Sequence, residues 1–273
     1  MRKVMIALGV SAAALVAAFV FATGGTPSRK PPAWLTAQPV AHRGQWTSGP
    51  ARPENSLPAF DEAADNGFAI ELDVQRTSDG RTVVIHDEEL EAMTGEPGTV
   101  GEVTLAELKQ RRLLGGEATI PTLEEALATI GGRVPVFVEI KNPGEVGGLE
   151  DDVAEQVAAY DGDAAVMSFN PFSLARVAEA APEIPRGQLS SAFEGEDLAF
   201  YEVFLLRNML MNWKSRPDFI AYDLAELPSV GTRLQRWRGR PLLGWTAVDE
   251  ASRVAAEQLA DAVIADPDAL PDR

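Results

Sequence analysis

No cysteine occurs in this 273-residue chain. That excludes a disulfide framework, a thiolate nucleophile, an iron–sulfur cluster, a cysteine-ligated zinc and a lipidated cysteine. It does not fix a compartment, because exported proteins need not use disulfides. Cations are scarce as well: 24 lysines and arginines stand against 41 aspartates and glutamates, for a formal net charge of −17. So acidic a chain is repelled by nucleic acid and by anionic membrane surfaces. A phosphate-bearing ligand must therefore be met by a local cationic site. There is no glycine-rich dinucleotide or phosphate loop, and no internal repeat. Histidine is the rarest useful residue. Only His42 and His86 are present, each at the end of an apolar run.

The N-terminus reads as a segment apart. Arg2 and Lys3 precede an apolar run from Val4 to Ala22, and Gly24, Gly25, Pro27 and Ser28-Arg29-Lys30-Pro31-Pro32 follow as a linker. The run is long for a signal-peptide core and just long enough to span a bilayer. Residues 1–33 are expected to be a signal peptide or a membrane anchor plus linker. The working domain, residues 34–273, would then be exported, either secreted or held at the outer face of the membrane.

What is present centres on Ile70-Glu71-Leu72-Asp73-Val74. In a strand, side chains two apart share a face, so Glu71 and Asp73 aim at one point. Buried acids without a counter-charge are costly. Either a salt-bridged pair or a divalent cation held by carboxylate oxygens would resolve the cost. Asp79-Gly80 then signals a tight turn. Residues 75–85 are expected to form a hairpin that returns His86 to the neighbourhood of Glu71 and Asp73.

Along the rest of the chain, short apolar strands alternate with helices. Val40-Ala41-His42 opens the domain, and Ala69–Val74 follows a helix capped at Asn55 or Ser56. Thr104 with Glu107, and Thr122 with Glu125, are spaced as capping boxes. Val134–Lys141 is a strand ending in Glu139 and Lys141 on one face. Further strands are expected at 164–168, 184–189, 219–222, 242–246 and 262–265. A long helix is expected over Asp197–Trp213, its methionines and aromatics packed in the core, and a basic, solvated stretch over 231–238. Eight strands alternating with helices imply a single-domain α/β fold, a (β/α)8 TIM barrel with a β-hairpin insertion after strand 2. A doubly wound open sheet is the alternative. In a barrel, His42, Glu71, Asp73, Glu139 and Lys141 fall on the carboxyl-terminal rim, where barrel chemistry resides. Three carboxylates there suit magnesium or calcium. The two histidines suit an acid–base pair. Arg43 and Lys141 suit an anionic substrate.

The motifs His42-Arg43-Gly44, Pro53-Glu54-Asn55, Glu71-Leu72-Asp73-Val74, His86-Asp87 and Glu139-Ile140-Lys141 occur in an order that resembles the glycerophosphodiester phosphodiesterases. The similarity continues through Ser168-Phe169, Trp245-Thr246 and Asp261–Asp266, with Ala262 where that family commonly has glycine. The resemblance implies a TIM barrel whose metal, one Mg2+ or Ca2+, is held by Glu71, Asp73 and Glu139. It implies His42 and His86 as the acid–base pair. Arg43 and Lys141 would meet the phosphate, and Trp245 would wall the glycerol pocket or line the barrel core. Glu54 and Asn55 would orient His42 or the metal shell, or only cap the helix, and for Asn55 the structural role is expected. The implied substrate is a small glycerophosphodiester, split into glycerol 3-phosphate and an alcohol. No nucleic acid partner is implied, and membrane association would come only through the N-terminal segment. Two other readings remain: a phospholipase D-like or sphingomyelinase D-like enzyme acting on lysolipids, and an inactive barrel used for binding.

Overall fold

A computed structural model describes residues 14, 16–25, 27, 29–142 and 144–272. Most of the apolar run, residues 4–13 and 15, lies outside the described residues, and so does part of the expected leader. Among the described residues no helix is long and apolar enough to cross a membrane.

Nine strands form one sheet: β1 (Val40–Ala41), β2 (Ala69–Arg76), β3 (Thr82–Val84), β4 (Val136–Ile140), β5 (Ala164–Ser168), β6 (Arg186–Ser190), β7 (Phe219–Asp223), β8 (Leu242–Ala247) and β9 (Ala262–Ala265). Eight are parallel, and β1 pairs with both β2 and β9, so the sheet closes on itself. The expected TIM barrel is therefore present and the open sheet is excluded. β3 pairs antiparallel with β2 outside the ring, as the hairpin pattern requires.

Each barrel strand has two apolar faces because it is buried on both sides. Outward, Ile70, Leu72 and Val74 of β2 and Val136, Val138 and Ile140 of β4 pack beneath the helices α1 (Leu57–Asp65), α2 (Leu123–Ile130) and α3 (Gly148–Ala158). Helix α2 shows how local sequence sets an element. Thr122 and Glu125 form the expected capping box, Leu123, Ala126, Leu127 and Ile130 supply the buried stripe, and Gly131 stops the helix at φ +59°. Each large side chain in that stripe contributes about 1.5–3 kcal/mol by leaving water. Inward, the lower barrel is filled with apolar side chains. A 3₁₀ turn at Ala33–Thr36 plugs its base with Trp34 and the buried Leu35. Trp34 meets Phe137 edge-on, and Phe137 meets Phe219 in the same way, each at 5.8 Å. Gly187 has to be glycine, because a Cβ there would lie 2.3 Å from the Phe219 ring. Charged side chains occupy the opposite end, above this plug.

Between β6 and β7 the structure departs from the sequence expectation. Asp197–Trp213 is not one helix. The later helices are α4 (Pro171–Ala180), α5 (Phe200–Arg207), α6 (Asn212–Ser215), α7 (Val230–Trp237) and α8 (Glu250–Ala256). Met209, at φ +55°, lies between α5 and α6. The aromatics of this segment are not core either. No residue of α5 is buried, and Phe200 and Phe204 are 87% and 59% exposed. Apolar residues at 200, 201, 203, 204, 205 and 206 surround the helix, so they mark no single buried face. The segment 231–238 also differs from expectation. Arg236 bonds Asp261 at the surface, but Arg238 is buried.

Arg238 is buried because the N-terminal segment lies on it. Thr23, itself buried, accepts from Gln235 Nε2 and Arg238 Nη1 through its carbonyl, each at 3.2 Å. The Gly24 and Gly25 carbonyls accept from Arg240 at 3.1 and 2.8 Å. Arg29 forks onto Asp218 at 2.9 and 2.8 Å and donates to the Glu183 and Ile184 carbonyls. Residues 23–25 and Arg29, on the leader side of the expected boundary, are thus tied to the loops that precede β6, β7 and β8. Removing them takes acceptors from Arg238 and Arg240 and breaks the Arg29–Asp218 pair, and a hydrogen bond to a charged group is worth about 1.5–3 kcal/mol. A chain starting at Trp34 is expected to melt several degrees below one starting at Thr23, since about 1 kcal/mol shifts a domain of this size by about 2–4 °C. Thermal melts of the two truncations, followed by far-UV circular dichroism, check this; coincident melting curves would refute it.

Candidate active site

The upper barrel gathers three acids. Glu71 and Asp73 alternate inward on β2, and the parallel register sets Asp73 directly beside Glu139 of β4. All three are buried, with carboxylate oxygens within 4.8 Å of one another. Glu71 Oε1 accepts no hydrogen bond. Glu139 Oε1 and Asp73 Oδ1 meet only the Lys141 ammonium, at 2.8 and 3.3 Å. Three buried carboxylates that converge on one point and share a single lysine offer the oxygen donors a hard divalent cation needs, so the residues fit such an ion.

The protonation behaviour agrees with that geometry. Burial, then the charges of Asp73 and Glu139, push the Glu71 carboxyl well above the usual carboxylate range. Glu139 is raised by burial as well, although Lys141 opposes it. Burial also acts on Asp73, but Lys141, His86, Arg43 and the Asn55 amide outweigh it and hold that carboxyl down at about 2. Lys141 itself is pushed up: burial works against its charge, and Asp73 and Glu139 more than offset it. Without a cation, this cluster keeps Asp73 ionised and favours a proton on Glu71.

The turn after β1 supports the acids from the side. Arg43 and Gly44 have φ +58° and +82°. The glycine is required there, because a Cβ would lie 2.9 Å from the Ala59 backbone. Arg43 donates its backbone N–H to Glu71 Oε2 at 3.0 Å and its Nη1 to Glu54 at 2.8 Å. Asn55, also at positive φ, donates to Asp73 Oδ2 at 2.9 Å. Asn55 thus holds one acid of the cluster instead of capping α1; the cap position is Ser56, whose hydroxyl bonds Pro53 instead of the helix.

The hairpin brings the second histidine in, and Gln75 holds the returning strand by donating to the His86 carbonyl at 2.8 Å. Each imidazole is gripped by an aspartate through Nδ1. His42 is 2.7 Å from Asp266 Oδ1, and His86 is 2.6 Å from Asp87 Oδ1. Burial pushes the His86 imidazole below its ordinary value. The sequence reading gave Asp266 and Asp87 no role. The usable signal was that Asp266 ends the last strand, which in a closed barrel must neighbour the first.

His42, Arg43, Glu71, His86, Glu139, Lys141 and Trp245 line one cavity of about 1,210 Å3. Asp73 completes the cluster beneath it. The Trp245 ring packs edge-on against Phe169 at 5.6 Å in the cavity wall and also abuts the apolar filling of the barrel.

Comparison with known proteins gives the same picture from another direction. Residues 42–268 match the model of the glycerophosphoryl diester phosphodiesterase family. A glycerophosphodiester phosphodiesterase of Caldanaerobacter subterraneus is 38% identical over 163 residues, covering 55% of this chain and 65% of that protein. Among solved structures, an Oleispira antarctica phosphodiesterase in complex with its product sn-glycerol-3-phosphate is 27% identical. It superposes with a TM-score of 0.70, covering 86% of this chain and 95% of that one. A glycerophosphodiester phosphodiesterase from Thermotoga maritima is also 27% identical, with a TM-score of 0.65 over 85% of this chain and 96% of that one. With the family match running from His42, at the end of the first strand, to beyond the last strand, this chain is an enzyme of the glycerophosphoryl diester phosphodiesterase family.

Proposed function

We propose that the enzyme hydrolyses glycerophosphodiesters to glycerol 3-phosphate and an alcohol, with His42 and His86 as acid and base beside one Mg2+ or Ca2+ held by Glu71, Asp73 and Glu139. The observation that carries this is the convergence of three buried carboxylates with two aspartate-held imidazoles on one barrel rim. The product bound to the Oleispira antarctica relative supports glycerol 3-phosphate as product here. The bound cation would supply positive charge to the phosphoryl oxygens.

The chain's own residues do the rest. Arg43 and Lys141 bring positive charge to the phosphate, and that charge counts for most as negative charge grows on its oxygens. One imidazole takes the proton of the glycerol 2-hydroxyl as that oxygen bonds to phosphorus. The other gives a proton to the departing alcohol as the phosphorus–oxygen bond breaks. Water then opens the cyclic phosphate, with the two roles exchanged. With Nδ1 of each ring committed to an aspartate, Nε2 is the atom left to face substrate. Export through the N-terminal segment remains part of this proposal, supported by the apolar run that follows Arg2 and Lys3.

Product analysis on glycerophosphocholine tests the reaction. Glycerol 3-phosphate plus choline is expected, and phosphocholine plus glycerol would overturn the proposal. His42→Ala and His86→Ala should each lower kcat by on the order of 10²–10⁴, the usual range for a positioned proton-transfer group. The double variant should fall far short of the product of the two losses. Asp266→Asn should lower kcat less than His42→Ala while leaving KM close to wild type. A folded histidine variant with near-wild-type turnover would refute the paired mechanism.

The acid cluster sets a pH signature. Glu71 and Glu139 have raised values in the metal-free fold, so their contribution to stability is full below about pH 4.5, near the unfolded carboxyl value. It is lost as pH rises through the raised values. A divalent ion reverses that loss by binding the ionised carboxylates. The rise in Tm on adding magnesium or calcium to chelator-treated enzyme should therefore grow from pH 5 to pH 8. Differential scanning fluorimetry across that range checks it, and a rise independent of pH would contradict the assignment of these ligands.

A further inference from the structure

The apolar leader leaves the fold at one identifiable place. Helical residues 16–22 contain no buried residue, and Val16, Phe19, Val20 and Phe21 are 44–63% exposed. Burial begins at Thr23, which is held by Gln235 and Arg238 of the α7 region. Phe21, the last aromatic before that point, stacks on Trp213 of α6 at 5.6 Å. Both contacts lie at the base of the barrel. Helix α7 runs from the end of β7 back to the start of β8, so Trp237 and Arg238 stand opposite the rim that carries His42, Glu71 and Lys141. Helix α6 leads into β7 and stands at the same end.

Charge here runs against the trend of the chain. Residues 211–217 and 229–241 hold six cations, Lys214, Arg216, Arg233, Arg236, Arg238 and Arg240, and no acid, in a chain with 41 aspartates and glutamates. Arg216, Arg233 and Arg236 are exposed, although Asp261 partly offsets Arg236. Among them Trp237 is 81% exposed, one helical turn beyond Arg233 and beside it on the surface of α7. A tryptophan takes the level of lipid headgroups, and clustered basic residues meet anionic lipids.

We propose that the base of the barrel around Trp213, Arg216, Arg233 and Trp237 is a docking face for an anionic lipid bilayer, the one the leader enters, and that it turns the catalytic rim away from the lipid. Two arguments select a bilayer as the occupant. The chain itself brings one there. The apolar run from Val4 to Ala22 ends on this face, and with Phe21 stacked on Trp213 a bilayer that takes up the run reaches the Trp213 ring. Charge supplies the second. The net charge of −17 repels an anionic surface from the chain as a whole, so only a local basic face can approach one. A leader on a free linker would let the barrel tumble. The hydrogen bonds from Arg238 and Arg240 to residues 23–25, and from Arg29 to Asp218, remove that freedom and fix which side meets lipid.

The absence of cysteine makes the test direct. Trp237→Cys and, as the far-side reference, Glu91→Cys are each made in the full-length enzyme and labelled with a fluorophore. Glu91 is exposed, beyond the hairpin on the rim side. Both are reconstituted into vesicles that carry a headgroup-level quencher lipid. In phosphatidylglycerol vesicles the label at 237 should be strongly quenched and the label at 91 untouched. Each basic residue beside an anionic surface is worth on the order of fivefold, so the contact should weaken on the order of tenfold or more in the Arg216→Glu, Arg233→Glu double variant. It should weaken likewise in phosphatidylcholine and at high salt. An unchanged far-UV spectrum checks the fold of each variant. Equal quenching at 237 and 91, or none at either, would overturn the proposal, as would failure of the protein to enter the vesicles. Quenching at 237 that is the same in both lipids and survives the charge reversal would overturn the basic docking face. A label at 237 already shielded without lipid would place a second copy or a protein partner on this face and overturn the bilayer as its occupant.

Discussion

Three carboxylates packed inside a barrel, with their oxygens within 4.8 Å, are a standing electrostatic problem. Like charges at that separation in a site without water repel strongly, and burial penalises each charge again. Much of the upper barrel answers this. Lys141 sits on Asp73 and Glu139, Arg43 lends its backbone N–H to Glu71, and Asn55 donates to Asp73. Even so, Glu71 Oε1 is left without a donor, and one lysine is shared between the other two acids. The fold therefore holds a site only partly neutralised by its own groups. A divalent cation would complete it at little structural cost, because the carboxylates are already placed by strand register.

The seam of the barrel does double duty. β1 has two residues and hydrogen bonds to both β2 and β9. His42 follows it directly and donates its backbone N–H to Ala265 at the end of β9. Asp266, the next residue, reaches back to the His42 ring. The contact that closes the cylinder and the contact that orients the imidazole thus involve neighbouring residues of the same two segments. Closure and ring orientation are coupled, which explains why so short a strand can hold a reactive group. His86 is held differently. It stands on the hairpin, outside the closed ring, and its aspartate is its own sequence neighbour. One imidazole is fixed by long-range topology and the other by local sequence.

That difference also explains what could be read from the sequence. The barrel, the hairpin, both capping boxes and the gathering of seven site residues follow from period-two strands, turn signals and strand-end positions, all of them local patterns; Trp245 was legible only through the resemblance. Asp87 was legible on the same ground, although no role was assigned to it. Asp266 was not, because its significance depends on which strand neighbours the first, and closure is a global property. Asn55 looked like a cap, since an asparagine before a Pro-initiated helix usually is one. Only the tertiary placement of β2 turns its amide toward Asp73. The segment 197–213 failed for a third reason. Apolar residues all round a helix predict burial without naming a face, and here most of them stay at the surface.

Charge and apolarity are divided between the two halves of the barrel. β1, β2 and β4 carry the acids and cations, together with the hairpin histidine. The loops after β5, β6 and β8 carry Phe169, Phe193 and Trp245. A reaction at phosphorus needs fixed charge on one side only. Placing the three clustered acids, the histidines and both cations in one half leaves the other free to take whatever the phosphate is attached to. It also lowers the local dielectric beside the charged half, which strengthens each ion–dipole contact there. In a protein with net charge −17, that arrangement would let a few local cations govern an anionic ligand at short range. This aromatic collar would then do more than bound a cavity: apolar surface beside the charged half would add to the pull proposed for Arg43 and Lys141 on the phosphate.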